Sequence, residues 1–79
     1  MTNENLKRQV TITAEGIVWV CILGNIQLAL RHPKNKGASA VLARQAAAQL
    51  VEALKRSEIL TDDEAAQIYR DEMRHGPQA

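Results

Sequence analysis

The sequence predicts an all-α fold, in which a short extended N-terminal arm precedes a three-helix arrangement that forms a helical homodimer. Three observations favour this fold class. The apolar run from Ile17 to Leu30 is longer than one strand, an alanine-rich segment with helical spacing follows it, and "TDDE" marks a third helix start. The 79 residues are enough for one domain, which spans 1–79.

The small size of the chain makes its core marginal, because a domain this short buries only about 60% of its unfolded surface. Cys21 is the only cysteine, so no disulfide can form within the chain, and its apolar neighbours predict a packed thiol. His32, His75 and Cys21 lie too far apart for local ligand spacing, so we expect no metal and no cofactor. Oligomerisation is the remaining reinforcement, and a homodimer is predicted.

The arm covers residues 1–12, and its first nine residues are polar. The β-branched stretch "VTIT" that follows is expected to be extended, with a short strand as the open alternative. Thr13 is the predicted N-cap of the first helix, and Ile12 and Ile17 would form a hydrophobic staple around it.

The first helix is predicted over 14–31 and is apolar nearly all round, so we expect it to be the central, most buried element. Its length and later pattern favour a helix over a buried strand. One stripe at helical spacing comprises Trp19, Ile22, Leu23, Ile26 and Leu30. Off that stripe lie Ile17, Val20, Cys21 and Leu28. Two apolar faces require two partners, and the second is expected to be another copy or a different protein.

Asn25 is a polar side chain among apolar neighbours, next to Gly24. It either bonds to a nearby loop backbone at the edge of the helix or fixes register where two copies meet. Gly24 would permit close helix crossing. The predicted self-association residues are therefore Trp19, Leu23, Asn25 and Ile26.

Pro33 should end the first helix, and Gly37 should permit the turn that follows. The second helix is predicted over 39–57, with Ser39 as its N-cap. Its inward stripe comprises Ala43, Ala47, Leu50, Val51 and Leu54.

The third helix is predicted over 62–75, because Thr61 and Glu64 have the spacing of a capping box. Arg74 and His75 supply a cationic last turn before Gly76 and Pro77. The residues expected to point inward are Ala65, Ile68, Tyr69 and Met73.

No catalytic constellation can be assembled from two histidines, one cysteine, one tyrosine and carboxylates on solvated helix faces, so we expect no enzyme. The apolar run from Ile17 to Leu30 is shorter than the ~20 residues that cross a bilayer, and polar residues interrupt it. Nothing resembles a signal peptide. These features predict a cytoplasmic protein that does not enter a membrane.

The segment between the first two helices concentrates basic side chains. The simplest interpretation is that they solvate a loop and complement a helix C-terminus. The alternative is a contact with an acidic partner, for which the candidate residues are Arg31, His32, Lys34, Lys36 and Arg44.

Three functions follow from these features. The leading hypothesis is a small non-enzymatic protein-interaction module that binds a cellular protein. The first alternative is a nucleic-acid-binding transcriptional regulator that uses the basic loop and the arm. A net charge of +1 and the acidic start of the third helix disfavour it. The second alternative is a structural subunit that docks through its first helix.

The chain resembles, in size and style, the small accessory proteins that bacteriophages and prophages encode. The segments that carry the resemblance are "LALRHPKNKG", the alanine-rich helix and "ILTDDEAAQIYRDE". The resemblance implies an inhibitor or modulator of a host regulatory or defence protein, and it assigns no functional residue.

Overall fold

The computed structural model describes residues 3–74, with side chains from 4 to 73, and this part of the chain is all-helical. Its elements are α1 (Asn3–Leu6), α2 (Gly16–Leu30), α3 (Ala38–Arg56) and α4 (Asp62–Arg74). The all-α class is therefore confirmed, with one more helix than expected because residues 3–6 of the arm form a single turn. The predicted helix end at His75, Gly76 and Pro77 lies outside the described residues.

Residues 9–15 join the arm to α2 without helix or strand, Glu15 is extended, and no strand forms in the part of the chain that the structure describes. The N-cap of α2 is Glu15, which makes no capping bond through its side chain, so the predicted cap at Thr13 is wrong. Contacts made by Trp19 and Gly16 position the start of α2 instead. The indole N–H of Trp19 donates to the Ala14 carbonyl at 3.2 Å. At Gly16, a Cβ atom would collide with the side chain of Ile59, so only glycine allows this approach without displacing it.

The turn between α2 and α3 is closed by its own hydrogen bonds. The Asn35 side-chain amide donates to the Ala29 carbonyl at 2.9 Å, and the Lys34 backbone N–H donates to His32 Nδ1 at 3.1 Å. The N-cap of α3 is Gly37, whose φ of 77° suits glycine alone. The predicted cap at Ser39 is wrong, because Ser39 already lies inside the helix.

The core forms where α3 packs between α2 and α4. Its buried residues are Leu23, Ala47, Val51, Leu54 and Ala65. Partly buried side chains pack against them, namely Trp19, Ile26, Leu50, Leu60 and Ile68. The expectation that the first helix is the central, most buried element is wrong: α3 supplies three of the five core residues, because both α2 and α4 pack against it.

Two capping motifs form the connection from α3 to α4, one at the end of α3 and one at the start of α4. The N–H of Ile59 donates to the Leu54 carbonyl at 2.9 Å and the N–H of Glu58 to the Lys55 carbonyl at 3.0 Å, which is a Schellman motif. The predicted capping box is confirmed, since the N–H of Glu64 donates to Thr61 Oγ1 at 3.1 Å and the N–H of Thr61 to Glu64 Oε1 at 3.0 Å.

On α4, two of the four residues predicted to point inward do so. Ala65 is buried and Ile68 packs against the core. Tyr69 and Met73 were expected inward and are 38% and 83% exposed, so that expectation is wrong for both. The reason is that α4 packs chiefly against α3, and a helix with one main neighbour buries a narrow stripe.

The molecule is flat, with principal extents of 38 × 32 × 15 Å. The radius of gyration of 13.6 Å exceeds the value of about 12 Å expected for a compact chain of this length. On α2, the buried residues Leu23 and Leu30 lie on the side that meets α3, so the opposite side of the helix is uncovered.

Candidate protein-interaction surface

The side of α2 that faces away from α3 is apolar and uncovered, and we call it the outer face. Its exposed side chains include Ile17 and Leu28, which are 65% and 66% exposed, together with Val18 and Cys21. The prediction of a buried thiol at Cys21 is wrong, because the helix turns this residue away from α3. Asn25 is exposed on the same side.

The outer face runs the length of α2 as one row. Ile17, Cys21, Gly24 and Leu28 follow a spacing of four, three and four residues, which keeps them on one side of a helix. At Gly24 an added Cβ would meet no atom within 4 Å, so the middle of this row is open space. A neighbouring helix could therefore approach closely at this point.

No charged residue occurs between Gly16 and Leu30, so the outer face has the composition of a core helix. Isolated exposed apolar residues are common on proteins and need no explanation. A continuous row on a helix without charges is different, because large exposed apolar patches mark places where another molecule binds.

The structure separates the predicted self-association residues. Leu23 is 4% exposed and buried in the core, and Trp19 and Ile26 pack against that core. These three side chains are thus engaged within their own chain, and only Asn25 shares the outer face. The sequence pattern contains the missed residues, since Ile17, Cys21 and Leu28 lie off the main apolar stripe of this helix.

The basic loop comprises Arg31, His32, Lys34 and Lys36, and all four side chains are exposed. It follows the last residue of α2 directly, so it adjoins the C-terminal end of the outer face. Within the described part of the chain, the ion pairs involve Lys55 with Glu52 and with Asp62, and none involves this loop. The loop cations are therefore available to an acidic partner.

Arg44 occupies a different setting from the loop cations. It is partly buried on α3, where it lines a cavity of about 350 Å³ with Leu30, Val51 and Ile68. Glu72 lines the same cavity, and its buried Oε1 has no hydrogen-bond donor among the described residues. A second, open groove of about 1020 Å³ lies between the arm, α2 and α3.

Two side chains have pKa values moved by identifiable contacts, and both lie outside the interaction surface. The pKa of Glu64 is lowered chiefly because the Thr61 backbone N–H donates to its carboxylate, with the Thr61 side chain adding to the effect. Partial burial raises the pKa of Tyr69, and the hydrogen bond from its hydroxyl to Glu52 at 2.9 Å raises it further. The contact of Glu64 with Thr61 caps the start of α4, and the contact of Tyr69 with Glu52 joins α4 to α3.

Within residues 3–74, no group of three or more His, Cys, Asp or Glu side chains is placed to hold a metal ion. No helix in this part of the chain is long and apolar enough to cross a membrane. Comparison with protein-family models, curated proteins and solved structures gives no match for this chain.

Proposed function

We propose that this chain is a small non-enzymatic protein-interaction module, which acts by occupying a surface on another protein. The observation that carries the proposal is the outer face of α2, a continuous apolar row on a helix without charged residues. Leaving such a row in water is unfavourable, and covering it with protein removes that cost.

The surface area of the chain supports the same proposal. The chain exposes 6460 Å², whereas a compact protein of 8.7 kDa is expected to expose roughly 4,700 Å². Residues 4–15 of the arm and its connection to α2, all of which are exposed, account for part of the difference of roughly 1,700 Å², and the exposed apolar side chains of α2 contribute to it as well. A homodimer is included in this proposal.

The proposed cellular partner presents an acidic surface, because the basic loop is exposed and unpaired beside the outer face. Arg31, Lys34 and Lys36 would accelerate the encounter through long-range attraction, and the buried apolar contacts would supply most of the affinity. In keeping with the resemblance to phage accessory proteins, the proposed partner is a host regulatory or defence protein, and the proposed site of action is the cytoplasm.

A second candidate function is nucleic-acid binding, which the unpaired cations of the loop favour. Phosphate neutralisation by Lys34 and Lys36 would release counterions, so the affinity would fall steeply with salt. The acidic first turn of α4, with Asp62, Asp63 and Glu64, repels phosphate and restricts this function to the loop and the arm.

The test is capture of partners from bacterial lysate by the tagged protein, with and without nuclease. Three variants accompany the wild type: Leu28→Glu on the outer face, Leu42→Glu as a matched control on α3, and the double variant Lys34→Ala/Lys36→Ala. Leu28 and Leu42 are 66% and 63% exposed, so the two glutamates perturb the monomer similarly.

We expect that one defined protein is captured even after nuclease treatment. Leu28→Glu should abolish its capture, and Leu42→Glu should leave it unchanged. If capture is abolished both by nuclease and by the double lysine variant, the function is nucleic-acid binding. A protein captured equally well by all variants would rule out the outer face as the contact.

A further inference from the structure

We infer that the outer face of α2 is covered by α2 of a second copy, and that the two helices run antiparallel. The inference rests on the proposed function, whose homodimer it makes specific; a cellular protein that binds the outer face would do so in competition with the second copy. In this arrangement Ile17 of one chain lies opposite Leu28 of the other, and Cys21 lies opposite Gly24. The same four positions of each chain form the interface.

The spacing of the row fits a two-fold axis perpendicular to the helices. The large residues Ile17 and Leu28 stand at the ends of the row, and the small residues Cys21 and Gly24 stand at its centre. Reversing one helix superimposes large on large and small on small, which satisfies the self-complementarity of a two-fold interface. Because nothing lies within 4 Å of a Cβ at Gly24, the helices can approach closely where they cross.

The distribution of charge selects the antiparallel direction. α2 carries Glu15 at its N-cap and Arg31 immediately after its last residue, with Lys34 and Lys36 beyond. Parallel helices would place the two basic loops side by side, where like charges repel. Antiparallel helices bring Glu15 of one chain near the level of Arg31 of the other, and they also oppose the two helix dipoles favourably.

The absence of charge on the face favours an occupant whose contacting surface is equally uncharged, because a charged side chain placed against Ile17, Val18 or Leu28 would be desolvated without a partner. A second copy presents the same uncharged row.

The direction of the helices is tested by site-directed cross-linking of the full chain. Cys21→Ser removes the native thiol, and single cysteines are then introduced as Ile17→Cys or Leu28→Cys. Antiparallel packing separates the two Ile17→Cys positions by about 16 Å along the helix axis, since each residue rises 1.5 Å. It places Ile17→Cys of one chain directly opposite Leu28→Cys of the other.

The expected result with a short bismaleimide is efficient cross-linking only when tagged Ile17→Cys and untagged Leu28→Cys chains are mixed. Efficient cross-linking of each single variant with itself would show parallel helices and overturn the inference, while the homodimer would stand. A monomer by light scattering at all concentrations would overturn both the inference and the dimer, and the lysate capture would then test the interaction function by itself.

The face itself is tested by the dissociation constant of the dimer. Leu28→Glu should weaken association by about a hundredfold or more, because each dimer buries two unpaired carboxylates, each costing about tenfold or more. Leu42→Glu should change the dissociation constant less than about threefold, since α3 turns Leu42 away from the interface. Equal weakening by both variants would overturn the assignment of the outer face.

Discussion

Glu58 is the one non-glycine residue with positive φ in the described part of the chain, at 61°. It occupies the position after the C-cap of α3, where glycine is the preferred residue because a Cβ is unfavourable in the left-handed conformation. The hydrogen bonds of Ile59 and Glu58 to the end of α3 hold the chain in this conformation. The residue therefore carries backbone strain that the motif imposes.

Replacing Glu58 with glycine should relieve this strain and raise the free energy of unfolding by about 0.5–1 kcal/mol, after allowing for the extra freedom of glycine in the unfolded chain. Glu58→Ala is the control, because it removes the carboxylate and keeps the Cβ. Urea denaturation of the three proteins measures the difference. Equal stabilisation by alanine and glycine would attribute the gain to charge and contradict the argument from strain.

Glu64 makes the stability of α4 dependent on pH. Its folded pKa is below the ordinary value of 4.5, so its contribution is complete above that value and is lost as the pH falls through the folded pKa. When the pH is lowered from about 6 to 3, the free energy of unfolding should therefore fall less for Glu64→Gln than for the wild type. Urea denaturation across this range measures both. Parallel stability curves would show that the carboxylate contributes nothing through the cap.

At the scale of the element, α4 is attached to the fold by few contacts. Ala65 and Ile68 reach the core, and the Tyr69 hydroxyl donates to Glu52 on α3. Lys55 lies 3.8 Å from both Glu52 and Asp62, an exposed geometry that contributes little. The hydrogen bond of Tyr69 therefore adds one polar contact to the apolar packing that joins α4 to α3.

Tyr69→Phe should destabilise the protein by about 1 kcal/mol, the typical net value of one hydrogen bond, and it keeps the ring in place. A double-mutant cycle with Glu52→Gln, followed by thermal unfolding, isolates the pair. We expect a coupling energy clearly different from zero. Additive effects of the two substitutions would show that the bond does not hold α4 to α3.

At the scale of the whole molecule, the small size of the core limits stability. Few side chains are buried in the described part of the chain, and none of them is polar or charged. The core consists of small and medium side chains, with Val51 the largest that is fully buried. Such a core is marginal by itself, and covering α2 would add to it.

The melting temperature should therefore rise with protein concentration, because a dimer formed only by folded chains stabilises the folded state by mass action. Calorimetry over a hundredfold range of concentration measures this dependence. Leu28→Glu should abolish the dependence and Leu42→Glu should preserve it. A wild-type melting temperature independent of concentration would contradict stabilisation through self-association.

Several local features could be predicted from sequence because neighbouring residues determine them. The capping box at Thr61 and Glu64, the end of α2 before Pro33 and the inward stripe of α3 all follow from backbone chemistry and helical spacing. The cap at Thr13 could not be predicted correctly, because the entry to α2 depends on Trp19 and on the fit of Gly16 to Ile59.

The sequence by itself determined that α2 has two apolar faces and no charge, since both properties belong to the order of its residues. Only the tertiary structure decided which face is covered. By burying Leu23 against α3 and leaving Cys21 exposed, it turned three of the four predicted self-association residues inward and left Asn25 outward with the remaining row. The physical reason is that helical periodicity defines faces, whereas the partner of each face depends on how the helices pack.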